Sequence, residues 1–451
     1  MASSTVSWGI EIGAAAIKAL KIELVSDDQV KVRDFAVIQH PKVLSTPGVD
    51  PSEVLRVSLG TLVANHDLTK ASIAISVPGH SSFARFAKLP PVEPKKVPDI
   101  VKFEAIQQIP FQLEEVEWDY QTFQAPDSPD IEVGIFAVKR DRIMEQLNML
   151  QELGITPNHV VLSPIAVYNA LAYDLSFSTD TPGTILVDVG TTSTDLIIAT
   201  PGRVWVRTFP IGGHQFTEAL VNQFQLTYAK AEKLKREADN TKHARQVFQA
   251  MRPVFADLAQ DVQRSVGFYE QINRDAQLSR LIGVGSTFQL PGLRKYLKQQ
   301  LSLDVYRIEQ FKRLEMDGER NAELQANALS LVTAYGLALQ GVGLQTVQGN
   351  LMPVNVIRES MWREKTKWFV GAAGVGLAAA GFMFIRPTID HFAVVDNPKP
   401  PVIQQVVSRA NTLKSEAQEA GDVGAGEPDF RAAHLLSLLE RRGVYLQISA
   451  D

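Results

Sequence analysis

Two stretches of the chain, about 180 residues apart, repeat one pattern: an acidic residue, an apolar residue, a glycine, a turn of small residues and a returning strand. The first is SWGIEIGAAAIKALKIE, with Glu11 before Gly13, and the second is LVDVGTTSTDLIIA, with Asp188 before Gly190. A single polar turn between apolar runs is ordinary for a hairpin. Two such turns, facing each other from lobes built alike, would offer backbone N–H groups to one phosphate chain, with carboxylates behind them for Mg²⁺.

A third glycine-rich turn lies in RLIGVGSTFQLPGLRKYLKQQL, residues 280–301. An apolar strand ends at Gly283 and Gly285, and Pro291-Gly292 leads into an amphipathic helix with leucines at 293, 297 and 301. Glycines at a strand end let a flat ligand lie against the backbone. The plain alternative is a strand-to-helix connection, so this turn indicates a ligand only together with the other two.

Composition limits the classes of function. A chain of 451 residues exceeds one hydrophobic core, which stops growing at roughly 250–300 residues, so two to four domains are expected. The net charge of -5 provides no overall positive field for nucleic acid. The absence of cysteine excludes disulfides, thiolate nucleophiles and sulfur-ligated metals, and the eight histidines show no metal-ligand spacing. The N-terminus lacks the pattern of a secretory signal, so the first domain is expected to fold in the cytoplasm.

One apolar stretch, WFVGAAGVGLAAAGFMFI at residues 368–385, contains 18 residues and no charge. A helix of this length reaches about 27 Å, close to the hydrocarbon thickness of a bilayer. Basic residues at 358, 363, 365 and 367 precede it, so the positive-inside rule predicts that residues 386–451 lie outside the cytoplasm. Glycines at 371, 374 and 376 would let a second membrane helix approach, which predicts self-association. The alternative is a buried helix of a soluble domain.

The order of phosphate turn, inserted segment, second phosphate turn, glycine-rich turn and closing helix resembles the actin-like ATPase superfamily. The stretch SVPGHSSFARFAKLPPVEPKKVPDIVKFEAIQQIPFQLEEVEWDY, residues 76–120, is similar to the small inserted domain of one branch, the PilM family of type IV pilus assembly proteins. The likeness covers roughly residues 6–345. It implies an α/β chain with a two-lobed actin-like ATPase fold and a small inserted α+β domain, followed by one transmembrane helix and a partial extracytoplasmic segment.

This resemblance and the apolar stretch together predict seven segments. They are the start of the first lobe at 1–27, the inserted subdomain at 28–155, the return to the first lobe at 156–182, the second lobe with its closing helix at 183–345, a juxtamembrane segment at 346–367, the transmembrane helix at 368–385 and the extracytoplasmic segment at 386–451.

The resemblance also implies a site for ATP and Mg²⁺. It assigns the β- and γ-phosphates to the second turn and the metal to Glu11 and Asp188. The matched positions of the two phosphate turns are Glu11, Gly13, Lys18, Asp188, Gly190, Thr191 and Thr192. The matched positions for ribose and adenine are Gly212, Gly213, Glu232, Lys235, Gly283, Gly285 and Ser286. Without the resemblance, Glu232 and Lys235 would be interpreted as a surface ion pair three residues apart on a helix.

Two departures from the family bear on catalysis. The first turn has Glu11 and three alanines, where relatives usually have an aspartate and a hydroxyl residue. Ser163 precedes Pro164, where relatives that hydrolyse ATP well often have a glutamate. A hydroxyl does not act as a base at neutral pH without activation. We therefore expect nucleotide binding with slow or no hydrolysis.

The segment before the apolar stretch, GNLMPVNVIRESMWREKTKW, resembles the start of PilN, the usual partner of PilM. The matching motif is Asn350, Leu351, Met352 and Pro353. In the family this peptide binds a groove between the main lobe and the inserted domain, so the chain resembles PilM joined to a PilN-like tail. Docking on the same chain and docking on a neighbouring copy are both open, and the plain alternative is an unstructured linker. The C-terminal residues read as a helix and the beginning of a helix-strand unit, which predicts a partial domain or a fragment.

The leading hypothesis is a membrane-anchored, ATP-binding scaffold that couples the cytoplasmic motor of type IV pilus assembly to partner proteins in the inner membrane and periplasm, without nucleic acid. One alternative is the type II secretion protein GspL, which has a similar order of domains. A sugar kinase shares the turns but needs a substrate-binding carboxylate that the sequence does not reveal. An FtsA-like division protein binds membranes through an amphipathic helix, and the spanning helix argues against it.

Overall fold

A computed structural model describes residues 5–124, 131–274, 276–396, 401–422, 434 and 437–441. The chain divides into two units, Met1–Ser360 and Met361–Asp451. The strands are β1 Val6–Ile12, β2 Ala16–Ser26, β3 Gln29–Gln39, β4 Ser72–Val77, β5 Ser82–Leu89, β6 Val116–Gln124, β7 Ile131–Lys139, β8 His159–Leu162, β9 Gly183–Val189, β10 Thr194–Thr200, β11 Arg203–Phe209, β12 Leu278–Val284 and β13 Asp304–Arg307.

The helices lie between these strands in the sequence and after the last of them. They are α1 Pro51–Asn65, α2 Val97–Gln108, α3 Arg140–Glu152, α4 Ser163–Asp174, α5 Gly213–Phe224, α6 Tyr228–Arg236, α7 Ala244–Ile272, α8 Leu293–Leu301, α9 Arg320–Ala326, α10 Ala328–Val342, α11 Val354–Asp396 and α12 Pro401–Asp422. Local sequence explains where α1 begins. Asp50 accepts a hydrogen bond from the Ser52 N–H and Pro51 follows it, which is a standard start for α1.

Two five-stranded sheets of the first unit have the same topology. Their strand orders are β3-β2-β1-β4-β8 and β11-β10-β9-β12-β13. In each sheet three antiparallel strands are followed by two parallel ones. The parallel strands consist mostly of buried aliphatic residues, as expected for strands covered on both faces. The prediction of two lobes built alike is confirmed.

A separate three-stranded antiparallel sheet, β5-β7-β6, forms the inserted part together with α2. It has its own small core, in which Val101 and Ala105 of α2 pack with Val133 and Ile135 of β7. The predicted boundaries of this part, 28–155, were too wide. Strand β3 continues from β2 through a tight turn and pairs with it, and β4 pairs with β1, so both belong to the first sheet.

Helix α10 was predicted within the second lobe, at 183–345, but it packs on the first sheet and on α4. Two glycines make this close approach feasible. A Cβ atom on Gly9 of β1 would lie 2.0 Å from the Ala334 carbonyl oxygen, and one on Gly336 would lie 1.7 Å from the Ala166 carbonyl oxygen. Almost every side chain of α10 is buried, so the helix crosses from one lobe to the core of the other.

Helix α11 contains the apolar stretch at 368–385. It is long and apolar enough to cross a membrane by length and composition. Its apolar side chains are exposed in the described part of the chain, with Leu377 at 76% and Phe382 at 73%. The helix predicted for the C-terminal residues is present as α12. Most of the helix-strand unit predicted after it lies outside the described residues.

Candidate functional site

The first hairpin, β1–β2, holds its turn by a hydrogen bond from the Gly13 N–H to the Ala16 carbonyl oxygen, 3.1 Å. Strand register places Lys18 directly opposite Glu11, and the Lys18 Nζ donates to Glu11 Oε1 at 2.8 Å. Both side chains are largely covered, at 12% and 15% exposed. The lysine thus compensates one oxygen of the glutamate, while Oε2 is buried without a hydrogen-bond partner in the described part of the chain.

The second hairpin, β9–β10, repeats this arrangement. The Gly190 N–H donates to the Ser193 carbonyl oxygen at 3.0 Å, and register places Asp195 opposite Asp188. Asp195 is buried and accepts a hydrogen bond from the Thr208 hydroxyl. Asp195 was missed as a site residue, although it lies seven residues after Asp188, as Lys18 lies seven after Glu11. That shared offset was the signal in the sequence.

Both turns line one cleft of about 420 Å³. From the first hairpin it is lined by Glu11, Gly13 and Ala14, and from the second by Asp188, Gly190, Thr191, Thr192 and Asp195. Among the described residues, no protein acceptor binds the backbone N–H groups of Ala14, Ala15, Thr191 and Thr192. Free N–H groups at two facing turns suit an anionic ligand.

Burial dominates the electrostatics of the cleft. It raises the pKa of Asp188 to about 7, with a further rise from the nearby carboxylates of Glu11 and Asp195. Burial likewise raises the pKa of Asp195 to about 6. Burial alone would lower the pKa of Lys18, but the adjacent Glu11 carboxylate raises it above its ordinary value. Three carboxyl groups and one ammonium share the site, so an added cation would be stabilised there.

The predicted metal residues are compatible with Mg²⁺ in one respect. Glu11 and Asp188 lie on the same cleft, and the unpartnered Glu11 Oε2 is an atom that a metal-bound water could satisfy. Within the described residues, no three Asp, Glu, His or Cys side chains converge to hold a metal by themselves. This fits an ion that keeps several waters and takes its other ligands from phosphate oxygens.

Two other glycine turns of the second lobe, at Gly212-Gly213 and at Gly285, pack against the second hairpin. The Gly213 N–H donates to the Gly190 carbonyl oxygen at 2.9 Å, and the Thr287 hydroxyl donates to the same oxygen at 2.8 Å. Gly285 has a φ of +87°, and a Cβ atom there would lie 2.2 Å from Asp188 Oδ1. Gly212 lies similarly close to Thr191, because a Cβ atom on Gly212 would lie 2.8 Å from the Thr191 carbonyl oxygen. These glycines therefore allow the turns to pack directly against each other.

The residues predicted to contact ribose and adenine have protein partners in this structure. Lys235 is buried, and its Nζ donates to Glu232 Oε2 at 2.6 Å and to the Gly213 carbonyl oxygen at 2.9 Å. The two residues are thus not a surface ion pair. Burial lowers the pKa of Lys235. Burial alone would raise the pKa of Glu232, but the adjacent Lys235 ammonium helps to lower that pKa below its ordinary value.

The third turn fits the adenosine prediction only in part. Gly283 lies under the ring of Phe288, which a Cβ atom would meet at 1.9 Å, so this glycine has a packing function in the structure. Ser286 is exposed beside the turn. None of the seven residues predicted for adenosine, all of them described, lines the cleft of about 420 Å³. Their contact with a nucleotide stays a prediction.

Residues 346–353, here called the docked segment, lie along the first lobe and the inserted sheet of the same chain. The Leu351 N–H donates to the Val160 carbonyl oxygen at 2.8 Å, and the Val160 N–H donates to Asn350 Oδ1 at 3.0 Å. Val160 belongs to β8, an edge strand, so the segment uses its unpaired backbone groups. Leu351 and Met352 are 2% and 4% exposed. Pro353 is buried as well.

Side chains hold the rest of the docked segment. Asp119 of the inserted sheet accepts the Asn350 N–H at 2.9 Å. Buried Asn169 of α4 accepts the Val347 N–H at 2.8 Å and donates to the Val347 carbonyl oxygen at 3.0 Å. The segment thus connects the inserted sheet, β8 and α4, and the connection from α10 is long enough for docking on the same chain.

Comparison with known proteins gives the following likenesses. The family model described as type IV pilus assembly protein PilM matches residues 9–342. A solved PilM-PilN type IV pilus biogenesis complex is 24% identical with a TM-score of 0.64, over 74% of this chain and 98% of the other. EutJ, an ethanolamine utilization protein from Carboxydothermus hydrogenoformans, is 17% identical with a TM-score of 0.41, over 74% and 89%. The cytoplasmic domain of EpsL from the type II secretion system of Vibrio cholerae is 10% identical with a TM-score of 0.36, over 78% and 99%.

The family match and the first of these structures, together with the repeated sheet topology, confirm the predicted actin-like ATPase fold with its small inserted α+β part. The other two likenesses are too distant to carry an argument.

Proposed function

Because the chain belongs to the PilM family of type IV pilus assembly proteins, we propose that it is an ATP-binding, membrane-anchored scaffold of pilus assembly. Its first unit binds ATP between the two lobes on the cytoplasmic side, and α11 anchors it in the inner membrane beside partner proteins of the pilus machine. One observation carries the proposal. Two hairpins of the same form, one from each sheet, present a carboxylate and unbonded N–H groups to one cleft.

In this proposal the backbone N–H groups of both turns bind the phosphate oxygens, which suits the concave shape that successive amides form. Glu11 and Asp188 hold Mg²⁺ through its waters. The nucleoside lies towards Glu232 and Lys235, which would exchange part of their mutual hydrogen bonding for bonds to ribose. The ion neutralises carboxylates that burial otherwise disfavours, and this supports joint binding of metal and nucleotide.

ATP with Mg²⁺ is expected to raise the melting temperature of the full chain in detergent by several degrees. A ligand at a hundred times its Kd stabilises the native state by about 2.7 kcal/mol. Differential scanning fluorimetry with ATP, AMP and ATP plus EDTA measures this effect. AMP lacks the β- and γ-phosphates and is expected to give little stabilisation. A folded protein whose melting temperature does not respond to Mg²⁺ and ATP would contradict nucleotide binding.

Hydrolysis is expected to be slower than about one turnover per second, which is at the low end for enzymes. Ser163 lines the cleft at the position where active relatives have a glutamate, and its hydroxyl donates to the Val77 carbonyl oxygen at 3.2 Å. Such a hydroxyl does not take a proton from water at neutral pH. Phosphate release under saturating ATP tests this, with the Asp188→Asn protein from the same preparation as the control for contaminating ATPases. A faster turnover in the unsubstituted protein alone would show that another group acts as the base.

The docked segment supports the scaffold role. It resembles the PilN peptide, and we propose that it joins the nucleotide-binding unit to the membrane helix within one polypeptide. Covalent linkage makes docking intramolecular, which raises the effective concentration of the segment at its groove. Helix α11 begins at Val354, the residue after Pro353. The apolar stretch at 368–385 thus belongs to the helix that begins directly after the docked residues.

A further inference from the structure

The loop between β3 and α1 is tied to the first phosphate turn. The Leu44 N–H donates to the Ala14 carbonyl oxygen at 2.8 Å, and the His40 N–H donates to the Ala15 carbonyl oxygen at 3.0 Å. The His40 ring adds a contact from Nε2 to the Gly13 carbonyl oxygen at 2.9 Å. This loop therefore moves with the first turn.

The next residue of that loop, Ser45, reaches the second lobe. Its Oγ lies 3.1 Å from the Tyr228 hydroxyl at the start of α6. The Tyr228 hydroxyl also lies 2.9 Å from Nδ1 of His214. The His214 N–H in turn donates to the Thr191 carbonyl oxygen at 2.7 Å. A hydrogen-bonded path thus runs from the first phosphate turn to the second through three side chains.

The first-lobe end of this path reaches the lining of the cleft. Ser45 and Leu44 line the cleft from the first lobe. Tyr228, Glu232 and Lys235 occupy positions i, i+4 and i+7 of α6, so they lie on one face of that helix. Tyr228 therefore shares a helix face with the two residues proposed to contact the nucleoside.

We propose that the Ser45–Tyr228–His214 bridge is a latch that controls entry and exit of the nucleotide. This inference rests on the proposed nucleotide binding. The latch is a pair of hydroxyl groups at the rim, and each can exchange its partner for water when the lobes separate. The lobes also meet at Gly79, where a Cβ atom would lie 2.1 Å from Asp195 Oδ1. The Asp195 and Thr208 side chains lie against the Gly79 backbone there, and in this proposal the lobes stay in contact at Gly79 while they separate at Ser45 and Tyr228.

The first test compares release of mant-ATP from the full chain and its variants by stopped-flow fluorescence. Ser45→Ala removes only the bond between the lobes, and Tyr228→Phe removes the hydroxyl while retaining the ring. Each is expected to speed release about two- to tenfold, the range for one neutral hydrogen bond. The double variant is expected to equal the single ones, because all three lack the same bond. Tyr306→Phe, at a tyrosine that is 52% exposed on β13, is the matched control.

The second test uses the absence of cysteine in the chain, which makes an introduced pair unique. A Ser45→Cys/Tyr228→Cys protein is cross-linked before or after loading with mant-ATP by a short bis(methanethiosulfonate) reagent, which forms a disulfide with each cysteine, releases sulfinate and is cleaved by a reductant. The cross-linked protein is expected to retain bound nucleotide when loaded first and to exclude it when loaded afterwards, and cleavage restores exchange. Free exchange in the cross-linked state would overturn the latch.

A readout without nucleotide separates the latch from the proposed function. Hydrogen exchange of backbone amides in the ligand-free protein is expected to increase at residues 40–50 and in α6 of both single variants, and not in Tyr306→Phe. If mant-ATP does not bind the unsubstituted chain, the proposed function fails and this exchange pattern still tests the contact between the lobes. Unchanged exchange together with unchanged release rates would show that the bridge does not hold the cleft.

Discussion

Replacing Asp188 with asparagine is expected to abolish stabilisation by ATP with Mg²⁺ and, at pH 8, to raise the melting temperature of the ligand-free protein. The first effect follows from the loss of one of two carboxylates proposed to hold the ion. The second follows from burial, which raises the pKa of Asp188 to about 7, so at pH 8 the native state contains a carboxylate whose charge it disfavours. A shift of one pKa unit corresponds to about 1.4 kcal/mol. We expect a gain of about 1–3 kcal/mol, because local rearrangement relieves part of the strain.

The pH dependence of the free energy of unfolding tests the effect of Asp188 independently. The native state keeps the Asp188 proton up to about pH 7, whereas the unfolded chain releases it near pH 4. Between these values the native state binds more protons, so stability falls as the pH rises. The Asp188→Asn protein is expected to show a shallower fall between pH 4 and pH 7 in chemical denaturation. Asp239→Asn, at an exposed aspartate, is the control. A variant that is less stable than the parent at pH 8, or that still responds to ATP with Mg²⁺, would contradict the assigned role.

Aspartates in place of Leu351 and Met352 are expected to release the docked segment from its groove. Burial of a leucine or methionine side chain contributes about 1.5–3 kcal/mol, and a buried carboxylate without a partner would cost more than that. The double variant is therefore expected to undock rather than bury two charges. Proteinase K digestion of the full chain, followed by mass spectrometry, should detect new cleavage between residues 343 and 353 at a rate at least about tenfold higher, because ~1.4 kcal/mol corresponds to one factor of ten in the open population.

Val354→Asp is the matched control for this experiment. Val354 adjoins the docked segment, but its side chain is 56% exposed. Its substitution introduces one carboxylate, where the double variant introduces two, next to the same backbone and is expected to leave digestion unchanged. Equal digestion of the double variant and the parent would show that the apolar anchors do not hold the segment. Equal acceleration by Val354→Asp would show that charge, rather than loss of buried contacts, causes the release.

The parts of the fold that the sequence predicts well are those with local signals. The two hairpins repeat an acid-glycine spacing, and the α8 pattern of leucines at 293 and 297 gives two buried residues. The boundaries of the inserted part were wrong because the predicted boundary at residue 28 falls in the short turn between β2 and β3, although such a turn is a local signal for a hairpin. The destination of α10 was wrong for a different reason. Helix α10 is apolar on all its faces, which predicts that it is buried but does not indicate which sheet it packs against.

The site shows a similar division. Glycines at the strand end were predicted to let a flat ligand lie against the backbone, but the sequence does not show which groups approach them. Gly283 lies against Phe288 and Gly285 against Asp188, where a nucleoside was expected. Asp195 was missed although its offset of seven residues from Asp188 equals that of Lys18 from Glu11, and the strand register places it opposite Asp188.

The repeated topology of the two sheets has a consequence for the direction in which a ligand binds. Two hairpins related by internal pseudo-symmetry would treat the two ends of a phosphate chain almost alike, yet ATP has a nucleoside at one end only. The equivalent positions opposite the two turn carboxylates differ in charge, with a cation at Lys18 and an acid at Asp195. This difference in charge distinguishes two otherwise similar turns, so under the proposed nucleotide binding the two ends of a phosphate chain would meet different electrostatic surroundings.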